Sequence, residues 1–392
     1  MKKENCRLCK SKDLVMFLDL GHCPHSDNFR KDPDLPETLY PLRLVQCQNC
    51  QFIQLDYTVS PEVLYDSDYL YESSITKTAD KHWKEFVDYA IATTKITEGK
   101  VLDIGSNDGT LLSKFKEKGF VVQGVDPCAD ITKIAIERGI PTATELFGKS
   151  WLGKFNLITG SNVFAHIDDL DAVMVNIGIM LENNGVFIFE SPYLGEFIKQ
   201  LEYSTVYHQH LSYLALKPLI KFLDKHNMEI FDIDMSEIHG GCFRCYISRK
   251  GERDISPIVD EISSSENYPI EMLLDWGKKC KEHSDRLFDI IYNYYRKGKK
   301  ICCVSSPAKG MTQLNYTGLN RFISFITERS KLKQGRYTPG GHIKIVDDSA
   351  LVTEKPDVSI LLAWNFSKEI IANNKQFKGI WIIPNQEIEI IH

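Results

Sequence analysis

The chain has 392 residues, of which 43% are hydrophobic and 26% are charged, as in ordinary globular proteins. Its formal net charge of −6 argues against a nucleic-acid partner, because nucleic-acid-binding domains usually carry a basic stripe. No apolar run approaches the roughly 18–20 residues of a membrane span, and the N-terminus has no apolar signal segment. We therefore expect a cytoplasmic protein without a membrane partner and with two or three domains. The sequence leaves the oligomeric state open, a monomer included.

Paired cysteines near the N-terminus predict a metal site. Eleven cysteines in a cytoplasmic chain favour metal binding or simple burial over disulfides. Two C-x-x-C motifs complete the four-thiolate shell of a structural zinc, which leaves no open position for catalysis. The four cysteines are Cys6, Cys9, Cys47 and Cys50. We expect residues 1–60 to form a small zinc-binding domain that depends on the metal to fold. Chance repeats or redox pairs are the alternative, and His22 and Cys23 are weaker ligand candidates.

Residues 61–100 are predicted to be mostly helical, with an amphipathic helix from Lys77 to Thr94. Tyr69 and Tyr71 stand beside two serines in an interruption between helical stretches. Such a segment is expected to form a loop that covers a pocket. Taken alone, these tyrosines are more often packing residues than catalysts.

The stretch from residue 101 to residue 110 predicts a buried strand, a glycine turn and the start of a helix. Gly105 and Gly109 let the backbone bend tightly and approach a ligand. The pattern differs from the G-x-G-x-x-G of dinucleotide sites, and Asp108 within the turn would repel a pyrophosphate. A ligand that presents an ammonium and a sulfonium instead of a phosphate suits this turn better.

Two further strands follow at the spacing of a βαβαβ unit. The strand at 121–126 ends in an acid placed to accept ribose hydroxyls, and the strand at 155–159 leads towards His166. Together these segments resemble the motifs of Rossmann-like S-adenosylmethionine methyltransferases. A doubly wound domain whose glycines merely turn the chain is the alternative. The candidate cofactor-binding residues are Asp103, Gly105, Asn107, Asp108, Gly109, Asp126 and Asn162.

The segment Tyr207-His208-Gln209-His210 forms a cluster that titrates near neutral pH. General acid–base catalysis is the favoured role. A metal site at the two histidines lacks a nearby third ligand, and a purely structural role is the other alternative.

Residues 297–392 are predicted to form a second α/β unit. The serine-rich stretch at 261–267 is expected to be a linker, followed by a helix at 269–296. In the turn at 305–312, small residues, hydroxyls and Lys309 are a usual means of holding a phosphate at a helix N-terminus.

In combination, these motifs resemble the nucleotide-sugar C-methyltransferase family over nearly the whole chain. The motifs that carry the resemblance are the two C-x-x-C pairs, the tyrosine loop, the glycine turn, Asn162–His166, Tyr207–Tyr213, Pro307–Tyr316, Pro339–His342 and Leu362–Asn365. The resemblance implies an α/β protein with three domains: a zinc-binding domain at 1–60, a Rossmann-like S-adenosylmethionine methyltransferase domain at 61–255, and a Rossmann-like nucleotide-sugar-binding domain at 256–392.

The resemblance also implies a reaction, namely methyl transfer from S-adenosylmethionine to carbon 3 of a nucleotide-linked 4-keto-deoxysugar. A carbon next to a ketone becomes nucleophilic only when its proton is removed and the enolate is stabilised. The resemblance implies that His210 is the base and that Tyr207 orients the sugar or helps to stabilise the enolate oxygen. The implied catalytic residues are His210, Tyr207, Gln209, His166, Tyr69 and Tyr71. The implied substrate-binding residues are Lys309, Asn315, Tyr316, Arg336 and His342.

Two positions depart from the family pattern. Gln209 stands where the family usually has glutamate, and Gly341, a smaller departure, stands where it often has threonine or serine. Glutamine hydrogen-bonds but takes no proton. An O- or N-methyltransferase acting on a nucleotide sugar is therefore an alternative, as is a non-catalytic homologue that binds sugar nucleotides. A dehydrogenase is disfavoured by Asp108.

Overall fold

The computed structural model describes residues 1–64, 77–150, 152–236 and 240–392. Its strands are β1 (Leu14–Cys23), β2 (Tyr40–Cys47), β3 (Ile53–Leu55), β4 (Lys100–Ile104), β5 (Val121–Asp126), β6 (Thr142–Thr144), β7 (Phe155–Ser161), β8 (Leu181–Pro192), β9 (Ser212–Tyr213), β10 (Met228–Ser236), β11 (Cys242–Arg249), β12 (Ile301–Val304), β13 (Ile326–Thr327), β14 (Ile345–Val346), β15 (Val358–Leu361), β16 (Ile380–Ile383) and β17 (Glu389–Ile391). Its helices are α1 (Pro61–Leu64), α2 (Lys77–Thr94), α3 (Thr110–Glu117), α4 (Ala129–Glu137), α5 (Leu170–Met180), α6 (Leu194–Lys199), α7 (Leu216–Asp224), α8 (Pro257–Ser265), α9 (Ile270–Arg296), α10 (Ala308–Thr317), α11 (Ala350–Thr353) and α12 (Ser367–Asn373). The predicted mixed α/β fold class is confirmed.

The N-terminal sheet is antiparallel and has the order β1-β2-β3-β9. Its last strand comes from the middle of the chain, where Tyr213 pairs with Ile53 and Ser212 pairs with Gln54. The backbone N–H of Leu55 also donates to the carbonyl of Leu211. The segment that follows the histidine cluster is therefore built into the N-terminal sheet.

The central sheet has the order β10-β11-β8-β7-β4-β5-β6, with β8 to β6 parallel and β10 and β11 antiparallel at one edge. The parallel strands read as continuous apolar runs because helices cover both faces. Val101 and Leu102, for example, are fully buried. The strands predicted at 101–104, 121–126 and 155–159 are all present, and their carboxyl ends meet at one edge of the sheet.

The C-terminal sheet has the order β14-β13-β12-β15-β16-β17 and is parallel except for its last strand. The chain leaves β12 towards β13 on one side, and β15 lies on the other. The strand order therefore reverses at β12, which is where open α/β sheets bind ligands.

The linker predicted at 261–267 is wrong, because α8 occupies most of it. Pro257 lies at the first turn of the helix, where its fixed φ favours helix initiation. Val259 is 3% exposed and belongs to the same buried cluster as Cys245 and Ile247 of the central sheet. This apolar burial outweighs the low helix propensity of the serines. The domain boundaries at 60 and 255 stay predictions.

A search of the described helices finds none that is long and apolar enough to cross a bilayer.

Candidate active site

The turn between β4 and α3 depends on two glycines. Gly105 has φ 68° and Gly109 has φ 76°, in the left-handed region that side chains rarely adopt. A Cβ on Gly105 would lie 2.9 Å from Cγ2 of Val163. The turn thus has space for backbone and ligand but not for a side chain, which fits the adenosylmethionine cofactor predicted there.

Two carboxylates brace this turn at the carboxyl edge of the sheet. Asp126 accepts hydrogen bonds from the backbone N–H groups of Asn107, at 3.0 Å, and Cys128, at 2.9 Å. Asp103 accepts from Thr159 Oγ1 at 2.7 Å. Burial, reinforced by Asp126 and opposed by the Thr159 hydrogen bond, raises the pKa of Asp103 to about 7. Both acids are therefore placed to accept hydrogen bonds from a ligand with hydroxyl and ammonium donors.

Asp108 has a more structural setting than the other acids of the turn. Its carboxylate accepts from the N–H and hydroxyl of Thr110, and it forms an ion pair with Arg138 at 2.9 Å. The residue is 1% exposed. These contacts stabilise the start of α3, and a contact between Asp108 and the cofactor stays a prediction.

Asn162 follows β7 with φ 54°, and its backbone N–H donates to the carbonyl of Glu190 at 2.7 Å. The Glu190 side chain is fully buried and bonds His82 at 2.8 Å and Arg244 at 2.6 Å. Although burial alone would raise it, these two partners hold the pKa of Glu190 at about 2. An ionised network, which the sequence did not predict, thus supports the edge of the sheet beside Asn162.

The predicted base and its tyrosine are in direct contact. Nδ1 of His210 lies 3.0 Å from the carbonyl oxygen of Thr205, and Nε2 lies 2.6 Å from the hydroxyl of Tyr207. Because a carbonyl only accepts, the proton of the neutral imidazole is on Nδ1, and Nε2 accepts from the tyrosine hydroxyl. Both side chains are half-buried, and the tyrosine hydroxyl fixes the position of this basic nitrogen.

His166 joins this pair, with its ring centroid 5.1 Å from that of His210. Burial lowers the pKa of His166 to about 4, which makes it a neutral donor and acceptor at neutral pH. The structure therefore brings together three of the predicted catalytic residues. Tyr69 and Tyr71 lie outside the described residues.

Gln209 and His208 contact residues of the N-terminal segment. His208 is fully buried, its ring centroid is 5.8 Å from that of Tyr40, and burial lowers its pKa to about 4. Gln209 is 2% exposed, and its Nε2 donates to Oδ2 of Asp27 at 2.9 Å. Asp27, an acid of the N-terminal unit, therefore contacts the cluster.

A cavity of about 410 Å³ lies beside α10 and the carboxyl ends of β15 and β16. Its lining includes Glu202, Tyr203, Gln313, Trp364, Asn365 and Asn385. Lys309 Nζ donates to Asn365 Oδ1 at 2.5 Å and lies 4.0 Å from the centroid of the Trp364 ring. Burial, opposed by the Glu202 charge, lowers the pKa of Lys309 to about 8. This lysine is therefore a titratable cation at the point where the strand order reverses.

The turn before Lys309 differs from a free phosphate-binding turn. The N–H and hydroxyl of Ser306 both donate to Glu328 Oε2, at 2.8 and 2.7 Å. A carboxylate of the chain therefore already holds donors that the sequence suggested for a phosphate.

The other predicted substrate-binding residues lie in contacts between chain segments. Tyr316 packs on Tyr203, with ring centroids 5.6 Å apart. Arg336 donates to the carbonyl of Phe29, His342 Nε2 lies 3.2 Å from Arg30 and from Glu37, and Asn315 donates to the carbonyl of Pro339. Their contact with substrate stays a prediction.

The four predicted zinc ligands converge. Sγ of Cys6 lies 3.6 Å from Sγ of Cys50, Sγ of Cys9 lies 3.5 Å from Sγ of Cys47, and all four sulfurs are within 4.8 Å of one another. Zinc–sulfur bonds of about 2.3 Å in a tetrahedron place the sulfurs about 3.8 Å apart. The cluster therefore fits a four-thiolate zinc.

Arg7, within the first cysteine pair, connects this cluster to the active site. It is 4% exposed, donates to the carbonyl of Leu55 at 2.8 Å, and pairs with Asp168 at 3.2 Å. Asp168 is two residues beyond His166, and Leu55 ends the strand that pairs with β9. The zinc-binding unit therefore contacts the segment that follows His166 and also β9, the strand that follows His210.

Comparison with known proteins assigns the chain to a family. It is 30% identical, over 99% of its length, to the C-methyltransferase NovU of Streptomyces niveus, and the match covers 97% of that protein. The chain belongs to the C-methyltransferase family. Models of a zinc-binding domain, a methyltransferase domain and a C-methyltransferase C-terminal domain match residues 6–65, 75–232 and 237–384 of this C-methyltransferase.

Other likenesses are partial. The ubiquinone biosynthesis O-methyltransferase of Histophilus somni (strain 2336) is 26% identical over 113 residues, which are 24% of this chain and 46% of that protein. An S-adenosylmethionine-dependent methyltransferase from Clostridium acetobutylicum has 16% identity and a TM-score of 0.37, and covers 44% of this chain and 92% of its own.

The family assignment confirms the predicted enzyme class, an S-adenosylmethionine-dependent C-methyltransferase with a zinc-binding unit. Residues around the site that the sequence did not single out are Asp27, Glu202, Glu190 and Arg244. No local pattern marks them, because each meets its partner through tertiary contacts.

Proposed function

We propose that this C-methyltransferase transfers a methyl group from S-adenosylmethionine to carbon 3 of a nucleotide-linked 4-keto-deoxysugar. The observation that carries the proposal is the basic Nε2 of His210, held 2.6 Å from the hydroxyl of Tyr207. A neutral imidazole with a fixed tautomer and an adjacent phenol is what enolate formation requires. Methyl transfer to an amine or a hydroxyl, which is already a nucleophile, forms no enolate and therefore has less need of this base and phenol.

In the proposed reaction, His210 Nε2 takes the proton from carbon 3 and becomes an imidazolium. The Thr205 carbonyl accepts from Nδ1–H throughout and so stabilises that cation. Once Nε2 is protonated, it no longer accepts a hydrogen bond from Tyr207. The Tyr207 hydroxyl therefore donates to the ketone oxygen and stabilises the enolate. Bound S-adenosylmethionine supplies an electrophilic methyl group on sulfur. The methyl group would pass to the enolate carbon with S-adenosylhomocysteine as the leaving group, and the residues of the glycine turn would hold the cofactor for this transfer. His210 then returns its proton to solvent.

His166 completes the pocket in this proposal. As a neutral imidazole beside His210 it donates to or accepts from the sugar without adding a charge that would disfavour the imidazolium. Tyr69 and Tyr71 are proposed to cover the sugar, and Gln209 to hold the turn. The proposed cofactor contacts are the glycine turn with Asp103, Asn107, Asp108, Asp126 and Asn162.

The nucleotide diphosphate is proposed to lie in the cavity beside Lys309, at the reversal of strand order in the C-terminal sheet. Asn315, Tyr316, Arg336 and His342 are proposed to close its outer side. A nucleotide-sugar substrate also agrees with the predicted cytoplasmic location, which stays a prediction.

The affinity for a nucleoside diphosphate should fall at alkaline pH. The pKa of Lys309 is lowered to about 8, so the ammonium is charged at pH 7 and loses its proton between pH 8 and 9. Its charge-assisted hydrogen bond to phosphate is then lost, and affinity should fall by about tenfold. Calorimetric titration at pH 7 and 9 measures this, and Lys309→Met should bind weakly at both. Lys331→Met, at an exposed lysine, is the matched control. A pH dependence retained by Lys309→Met would remove Lys309 from this role.

The reaction itself is tested in deuterated water with labelled S-adenosylmethionine and a panel of nucleotide-linked 4-keto-deoxysugars. We expect exchange of the proton on carbon 3 and a new methyl signal on that carbon. A methyl bonded to oxygen or nitrogen would instead support the second candidate, an O- or N-methyltransferase, which Gln209 favours by replacing a glutamate. Binding of S-adenosylmethionine without either signal on any sugar would refute the proposed substrate.

A further inference from the structure

Gln209 and Asp27 make a partly buried contact between segments 182 residues apart. Nε2 of Gln209 donates to Oδ2 of Asp27 at 2.9 Å, and Gln209 is 2% exposed. The carboxyl oxygen in this contact accepts the hydrogen bond, so the amide nitrogen of Gln209 faces it. Gln209 therefore has one orientation, with its amide nitrogen on Asp27 and its oxygen directed elsewhere.

The segment that carries Asp27 is fastened at a junction of all three units. Ser26 Oγ lies 3.2 Å from Oγ1 of Thr312, which donates to the carbonyl of Val206 at 3.0 Å. Arg30 exchanges backbone hydrogen bonds with Tyr337 at 2.9 and 2.8 Å. Asp27 thus contacts the histidine cluster from a segment of the N-terminal unit that is hydrogen-bonded on both sides to the C-terminal unit.

The position of Gln209 determines that of its neighbours. The backbone N–H of His210 donates to the carbonyl of Tyr207 at 2.9 Å, which closes a tight turn with Gln209 inside it. A shift of the Gln209 side chain would move this turn and alter the 2.6 Å contact between Tyr207 and His210. Displacements of about 1 Å at reacting groups cost on the order of a hundredfold in rate.

The acid in contact with position 209 comes from another part of the chain. Gln209 itself carries no charge, and the carboxylate in contact with it belongs to Asp27. Burial raises the pKa of Asp27, opposed by the charges of Lys333 and His25. Lys333 Nζ donates to the carbonyl of Ser306 at 2.8 Å, so its charge is fixed in this surrounding.

We propose that Asp27 is a positioning residue of the active site and supplies, from the zinc-binding unit, the carboxylate that position 209 lacks. The site works with one carboxylate in the 27–209 pair, and either position can hold it. This inference rests on the proposed function in that His210 is taken as the base. It predicts that a glutamate introduced at 209 alone harms the enzyme, because two carboxylates would then be in contact.

The test is a cycle of Asp27→Asn, Gln209→Glu and the double variant in the full chain. Rates of proton exchange at carbon 3 and of methyl transfer are measured with the best sugar of the panel. Asp27→Asn should lose about tenfold in kcat, since its hydrogen bond is no longer charge-assisted, and Gln209→Glu about a hundredfold. The double variant, an exchanged pair, should return to within about threefold of the natural chain. Asp34→Asn, at an exposed position of the same connection, is the matched control.

Binding of S-adenosylmethionine and the melting temperature are followed in parallel, so that a folding defect is separated from misplacement of His210. A double variant no better than the product of the two single losses would overturn the inference, as would full activity of Gln209→Glu. If the natural chain acts on no sugar of the panel, the proposed function fails separately. The same cycle is then read in thermal unfolding, where Gln209→Glu should destabilise and the double variant should recover, and additive effects would overturn the contact.

Discussion

Replacing His210 with asparagine should abolish most turnover while leaving the binding of both ligands intact. Asparagine keeps a donor for the Thr205 carbonyl but has no basic nitrogen towards Tyr207. General-base catalysis is worth about 10²–10⁴-fold, so kcat should fall by that amount. Proton exchange at the sugar carbon should fall in proportion, because the base acts before the methyl group moves. Both rates follow from one experiment in deuterated water.

Two variants make this result specific. His22→Asn applies the same change at an exposed histidine and should leave kcat unchanged. Tyr207→Phe keeps the ring packing but removes the hydroxyl, and should slow methyl transfer more than it weakens sugar binding. Equal activity in His210→Asn and the natural chain would transfer the role of base to another residue.

Replacing Cys47 with serine should unfold the N-terminal unit and not merely reduce the rate. Cys47 ends β2, is fully buried, and has its sulfur 3.5 Å from that of Cys9. Structural zinc sites contribute on the order of 10 kcal/mol or more to folding, which is comparable with the whole net stability of about 5–15 kcal/mol. We expect a large fall in melting temperature together with loss of one zinc per chain, measured by thermal unfolding and elemental analysis.

Cys23→Ser is the matched control, because Cys23 is buried in the same unit but lies outside the four-sulfur cluster. It should lower stability by about 1–3 kcal/mol, the cost of a buried hydroxyl, and keep the zinc. A Cys47→Ser protein with natural stability and zinc content would show that the cluster holds no structural metal.

Local patterns in the sequence predicted the elements that carry the cofactor turn. The helix predicted from Lys77 to Thr94 has those bounds in the structure. The strand and glycine turn around Gly105 are found in place, because buried runs, turn glycines and helix starts are each decided within a few residues. The cysteine pairs were predictable for the same reason, since each pair is a short motif with a single chemistry.

The contacts that complete the site were not predictable in this way. The pairing of Ile53 with Tyr213 and of Asp27 with Gln209 joins segments far apart in the chain, and nothing around Ile53 or Asp27 indicates the partner. The turn before Lys309 looked like a phosphate site, but Glu328 takes its donors. Tertiary packing decides which acceptor a donor meets, and the sequence around the donor does not show which acceptor that is.

The incorporation of β9 into the N-terminal sheet limits how parts of these enzymes can be exchanged. A chimaera that takes its first 60 residues from one parent and the remainder from another would place strands of different ancestry edge to edge at Ile53 and Tyr213. A mismatch there would be transmitted to the turn that begins at Tyr207. Recombination in this family should therefore succeed when the N-terminal unit and the segment from 203 to 213 are inherited together, although they are separated by the whole cofactor-binding region.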